Sequence, residues 1–135
     1  MQNLAVLLGR IGLAQIFLIS GTQKVMGYAA TAGMLAAHGL PPGLLPLVIF
    51  AELGGGLAVL FGFLTRWAAL GLCVFTLLAA FFFHNNFADP MQAINFEKNI
   101  AIAGGFLVLA AFGPGTAALD TLWRRKRRGR EKLSF

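Results

Sequence analysis

The segment Ile49-Phe50-Ala51-Glu52-Leu53-Gly54 sets a single carboxylate, Glu52, in a run of apolar and small residues. Burial disfavours the charged form of a carboxylate, so such a group pairs with a cation or takes up a proton. Lys24, His84 and Lys98 are the cationic or protonatable groups at the ends of the other apolar runs. Gln23, Asn95 and Asn99 stand next to them and supply amides that both donate and accept. These seven residues form a candidate cluster with three such groups around one carboxylate. It could bind an anion, a quinone carbonyl or protons. The rival reading is a structural network that holds helices in register. Arg10 is a further ionisable residue inside an apolar run, and such residues in a membrane are functional candidates by default.

Other chemistries find less support. His38 and His84 fall in different connections, with no Cys or HxxxH spacing beside them, so no metal site is expected. Cys73 is the single cysteine, which excludes an intrachain disulfide and a CxxC pair. It reads as a small buried hydrophobe among Leu72, Val74 and Phe75. The chain shows no Gly-rich phosphate loop, nucleophile elbow or pair of catalytic carboxylates. A self-contained enzyme is hard to build from these residues.

The elements that must position the cluster are membrane spans. Apolar residues make up 58% of the 135 and charged residues 12%, about half the usual soluble share. A hydrocarbon core of about 30 Å needs about 20 mostly apolar residues as helix. Four stretches qualify, at about 4–21, 44–64, 67–83 and 96–112. They are too long for barrel strands and lack strict alternation. Helices satisfy their own backbone in lipid. The expected fold is therefore an all-α, integral membrane four-helix bundle over residues 1–123, followed by a tail over 124–135. The start, Met1-Gln2-Asn3, lacks the positive n-region of a cleavable signal, so the first span is expected to be retained.

The connections differ in kind. Thr65-Arg66 barely links spans two and three, which predicts a tight hairpin. The 22–43 connection has room for a short interfacial helix at 28–37, ended by Gly39 and by Pro41-Pro42. Gly55, Gly56, Gly62, Gly104 and Gly105 lie in spans, where small residues allow close helix approach.

Charge sets orientation. The tail residues Arg124, Arg125, Lys126, Arg127, Arg128, Arg130 and Lys132 outweigh Glu131 by the whole net charge of +6. With Arg66 they place both termini and the hairpin link in the cytoplasm, by the excess of Lys and Arg on that side. The tail should contact anionic lipid or a protein partner, and nucleic acid is not expected. In this orientation Cβ bonds lean toward each helix N-terminus, which turns Arg10 toward the cytoplasm and Glu52 outward. Glu52 is thus expected to pair with Lys24 rather than with Arg10.

The order of these features resembles the DoxX family of bacterial inner-membrane proteins over about residues 5–120. The resemblance is carried by Arg10, Ser20-Gly21, Lys24, Gly39-Leu40-Pro41, Glu52 with Gly55-Gly56, and Gly62 with Thr65-Arg66. It continues through Phe83-His84, Asn95-Phe96-Glu97-Lys98-Asn99, Gly104-Gly105, Gly113-Pro114-Gly115 and Leu119-Asp120. It implies a multi-pass protein of the bacterial inner membrane. The family is named after a subunit of a terminal quinol oxidase, and other members are associated with thiosulfate:quinone oxidoreductases and thiol-redox complexes. The resemblance therefore implies a subunit of a redox complex, with a protein partner and a quinone as the ligand to consider. Without a second cysteine, any thiol chemistry must come from the partner. Two rival functions remain, a small proton-coupled transporter subunit and a non-catalytic membrane scaffold.

Overall fold

The computed structural model describes residues 1–133, so the last two residues of the basic tail lie outside the described residues. Six helices run in the order α1 (Gln2–Met26), α2 (Tyr28–Ala37), α3 (Leu45–Phe61), α4 (Thr65–Phe83), α5 (Pro90–Phe112) and α6 (Leu119–Leu133). A 3-10 turn, Pro42–Leu44, leads into α3. Four helices are long and apolar enough to cross a membrane: α1, α3 with its leading turn, α4 and α5. They form an up-down-up-down bundle in which α1 packs on α3, α3 on α4 and α4 on α5, with a lighter α1–α5 contact closing the ring.

The core is thin and made of small and aromatic residues. Ala14, Val59, Ala69, Cys73 and Ala103 are buried around Phe17 and Phe106. The Phe17 ring meets Phe106 at 5.4 Å and Phe75 at 6.2 Å, both edge to face. Large apolar side chains such as Leu8, Phe50, Val74 and Val108 point outward. That distribution suits a bundle surrounded by lipid, where apolar surface has no water to avoid.

The helix ends depart from the expected spans for local reasons. α1 continues five residues past Gly21, since Thr22 bonds back to the Leu18 carbonyl and Lys24 finds an acid on α3. α5 starts at Pro90 rather than near 96, because the Asp89 side chain accepts from Met91 N and Pro90 suits the first helical turn. α3 stops at Phe61 rather than 64. Gly62 takes φ 71°, the left-handed region that glycine enters at little cost, and Leu64 follows at φ 45°. The basic tail is not an appendage after 123 but part of α6, which begins at Leu119.

Small residues set how close the helices come. A Cβ on Gly56 would lie 3.0 Å from Leu18, and one on Gly55 would lie 2.9 Å from Leu72. The two neighbours thus serve different seams, Gly56 toward α1 and Gly55 toward α4. Gly105 sits under Leu13, whereas nothing lies within 4 Å of a Cβ at Gly104. Of that pair only Gly105 lies at a helix contact, because one residue turns a helix by about 100°.

Candidate functional site

Glu52 lies in the middle of α3 and is 4% exposed. Its neighbour across the seam is the polar last third of α1. Gly21 makes this approach possible: a Cβ there would lie 2.8 Å from Leu53 and 3.3 Å from Glu52 Cβ. Ser20 and Lys24, four residues apart on one face of α1, then both reach the carboxylate. Lys24 Nζ donates to Glu52 Oε1 at 3.0 Å and to Ser20 Oγ at 2.6 Å. The Ser20 hydroxyl donates to the same Oε1 at 3.2 Å. The second oxygen, Oε2, is buried and has no hydrogen-bond partner. One carboxylate therefore carries a doubly engaged oxygen and an unengaged one. A buried polar atom without a partner is uncommon in folded proteins.

The other members of the candidate cluster are placed differently. His84 caps the C-terminus of α4, and its Nδ1 lies 2.8 Å from Gln92 Oε1 on α5. Asn95 and Asn99 are half-buried on α5, while Gln23 and Lys98 are exposed. Among the described residues none of these five is hydrogen-bonded to Glu52. They share the same end of the bundle with it. His38, at the end of α2, sets its ring 4.8 Å from that of Phe83, tilted by 58°, and bonds the Met34 carbonyl. Among the described residues no three His, Cys, Asp or Glu side chains are grouped to hold a metal ion.

Arg10 occupies the opposite end and is 1% exposed. Its guanidinium donates to four carbonyls. Nε bonds Val59 at 2.9 Å and Nη2 bonds Leu60 at 2.6 Å, both in the last turn of α3. Nη1 bonds Pro114 at 2.9 Å and Ala117 at 2.6 Å, in the link between α5 and α6. A cation at a helix C-terminus also meets the negative end of its dipole. Arg10 thus ties three segments together at the end of the bundle away from Glu52.

Asp120 does the complementary work on α4. Leu64 N donates to Oδ1 at 2.8 Å, and Thr65 N and Oγ1 donate to Oδ2 at 2.9 and 2.7 Å. Asp120 N in turn donates to the Gly62 carbonyl at 2.9 Å. The short α3–α4 link is held by a guanidinium from α1 on one side and a carboxylate from α6 on the other. Partial burial alone would raise the Asp120 pKa. The bonds from Thr65 and Leu64, with the nearby charge of Arg124, outweigh that and hold its carboxyl below the ordinary aspartate value. Gly62 lies inside this knot. A Cβ there would collide with Ala118 and come within 2.8 Å of Arg10 Nη2.

Beyond Asp120, the residues of α6 expected to meet lipid or a partner are exposed, from Arg124 to Lys132. Trp123 and Trp67 are also exposed, at 68% and 75%. Ser20 and Asp120 belong to the residues that carry the family resemblance but to none of the expected sites. The signal for Ser20 was its four-residue spacing from Lys24. For Asp120 it was an acid opening a basic helix, where a carboxylate is favoured. Nothing local marked the Pro114 and Ala117 carbonyls.

A family model described as DoxX matches residues 5–85. The inner membrane protein YqjF of Escherichia coli (strain K12) is 48% identical over 126 residues, which cover 93% of this chain and 97% of that protein. The inner membrane protein YphA of the same organism is 36% identical over 121 residues, 84% of this chain and 86% of that protein. No solved structure matches significantly.

Proposed function

The chain belongs to the DoxX family and is a multi-pass inner-membrane protein, and we propose that it is the membrane subunit of a quinone-linked redox complex with Glu52 as its acceptor group. The observation that carries this reading is Glu52 Oε2, buried and without a partner while Oε1 accepts from Lys24 and Ser20. A bound quinone exchanges two electrons and two protons. The residues of this chain serve the proton side. Oε2 would accept a hydrogen bond from one hydroxyl of the reduced ring and then one of its two protons, the second proton leaving to the partner with the electrons. Lys24 would balance the charge of the ionised carboxylate. Ser20 fixes the Oε1 side so that the acceptor stays on Oε2. The residues at the same end, His84, Lys98, Asn95, Asn99 and Gln23, would form the polar approach to this group. The partner would supply the electron acceptor. The redox assignment itself rests on the family resemblance.

The test titrates a water-soluble short-chain quinol, under reducing conditions, into the detergent-solubilised protein by calorimetry. A hydrogen bond to a charged acceptor contributes about 1.5–3 kcal/mol, or roughly 10- to 100-fold in affinity. Glu52→Gln should weaken binding by that factor, and Ser20→Ala by less. Equal affinity for the wild type and Glu52→Gln would remove Glu52 from the mechanism. No measurable binding to either would remove the quinone.

A further inference from the structure

We infer that the cleft between the first turn of α4 and α6 seats the phosphodiester of an anionic phospholipid. Arg66 and Trp67 line it from α4, and Trp123, Arg124 and Arg127 line it from α6. The α6 residues, with Asp120, stand at the three- and four-residue spacings that share one helix face. The cleft holds about 240 Å³. Its lining carries three arginines and one carboxylate, Asp120, whose two oxygens accept from Leu64 and Thr65. Guanidinium groups match phosphate oxygens in paired hydrogen bonds.

A second groove decides between kinds of anion. It holds about 420 Å³ and shares Asp120 and Trp123 with the first. Its remaining walls are Phe63, Leu119 and Leu122, with Arg125 and Lys126 at the edge. An arginine cleft beside an apolar groove matches a phosphate joined to glycerol and acyl chains. Free phosphate would use only the first, and an acidic peptide would leave the second unfilled. The position is also that of a headgroup. The cleft lies at the first turn of the spanning helix α4, just past the end of α3, and is flanked by two exposed indoles, which favour the membrane interface. The knot of Arg10, Gly62, Thr65 and Asp120 holds the cleft's two walls together.

Trp67 and Trp123 are the only tryptophans, so tryptophan emission, excited selectively over Tyr28, reports on the residues that line this cleft. The full chain in non-ionic detergent is titrated with phosphatidylglycerol brominated in the upper acyl chain, and in parallel with the matching phosphatidylcholine. Quenching should begin at a much lower mole fraction of the anionic lipid. Arg124→Gln with Arg127→Gln should weaken this response roughly fivefold per arginine, about 25-fold together. The charge-matched pair Arg128→Gln with Arg130→Gln lines neither the cleft nor the groove and should cost clearly less. Both variants are compared with the wild type for helicity and for tryptophan emission in lipid-free detergent, and Arg124→Lys with Arg127→Lys provides a milder pair that keeps the charge. Equal quenching by the two lipids would overturn the proposal. So would equal loss in the two glutamine pairs, which would reduce the effect to general attraction by the tail. Relief of quenching by millimolar inorganic phosphate or by polyglutamate would assign the cleft to those ligands instead.

Discussion

Replacing Arg10 by alanine should unfasten one end of the bundle while leaving the Glu52 end intact. The side chain makes four bonds, to the carbonyls of Val59, Leu60, Pro114 and Ala117, and is 1% exposed. Bonds from a charged donor contribute about 1.5–3 kcal/mol each, so four would total roughly 6–12 kcal/mol if they were independent. They are not, because one planar group makes all four and water can reach the carbonyls once the link loosens. Removing one partner of a buried charged network costs about 3–5 kcal/mol, and we expect Arg10→Ala near the middle of that range, about 4 kcal/mol. Arg10→Lys keeps the charge, yet its single nitrogen cannot span carbonyls on two segments, so it should recover less than half. Unfolding in mixed micelles of increasing dodecyl sulfate, followed by tryptophan emission, suits the measurement. Trp67 and Trp123 lie at this end and lose their environment when the link opens. A loss below about 1 kcal/mol in Arg10→Ala, or full rescue by lysine, would refute the reasoning.

Two further outcomes follow from the same contacts. Asp120 has a carboxyl pKa below its unfolded value, so its contribution to stability is fully present above the ordinary aspartate range and is lost as pH falls through the folded value. Asp120→Asn should therefore flatten the acid limb of a stability–pH curve, and an unchanged limb would show that Asp120 does not govern it. For the α1–α3 pair, Lys24→Met leaves Glu52 without its cation and should destabilise by about 3–5 kcal/mol at neutral pH. Adding Glu52→Leu should recover most of that, and a double variant no more stable than Lys24→Met would mean that the pair is not coupled.

The membrane character, the four crossings and the expectation that Lys24 meets Glu52 were legible because each depends on local facts. Apolar run length decides a span, and side chains lean toward their helix N-termini whatever the fold. Pro41-Pro42 and Gly39 similarly placed the break between α2 and α3. By contrast, the polar residues at the ends of α4 and α5 could be counted but not aimed. Their rotation about the helix axis is set by packing, and a shift of one residue turns a side chain by about 100°. His84 therefore meets Gln92, and Lys98 is exposed.

What the amino-acid order determined by itself is a neutral apolar body with one carboxylate, Glu52, deep in an apolar run and all the net charge in the tail. Only the tertiary structure decided what the charges do. Arg10 read as an isolated cation in a span, yet its partners are main-chain carbonyls up to 107 residues away. Carbonyls are present at every residue, so no sequence pattern marks the ones that a fold will gather. Asp120 stood only among the residues that carry the family resemblance, and the fold makes it cap α4 across more than fifty residues. For the same reason the unengaged Oε2 of Glu52 is a property of the packed seam: Gly21 lets α3 approach, Ser20 and Lys24 both choose Oε1, and the other oxygen is left.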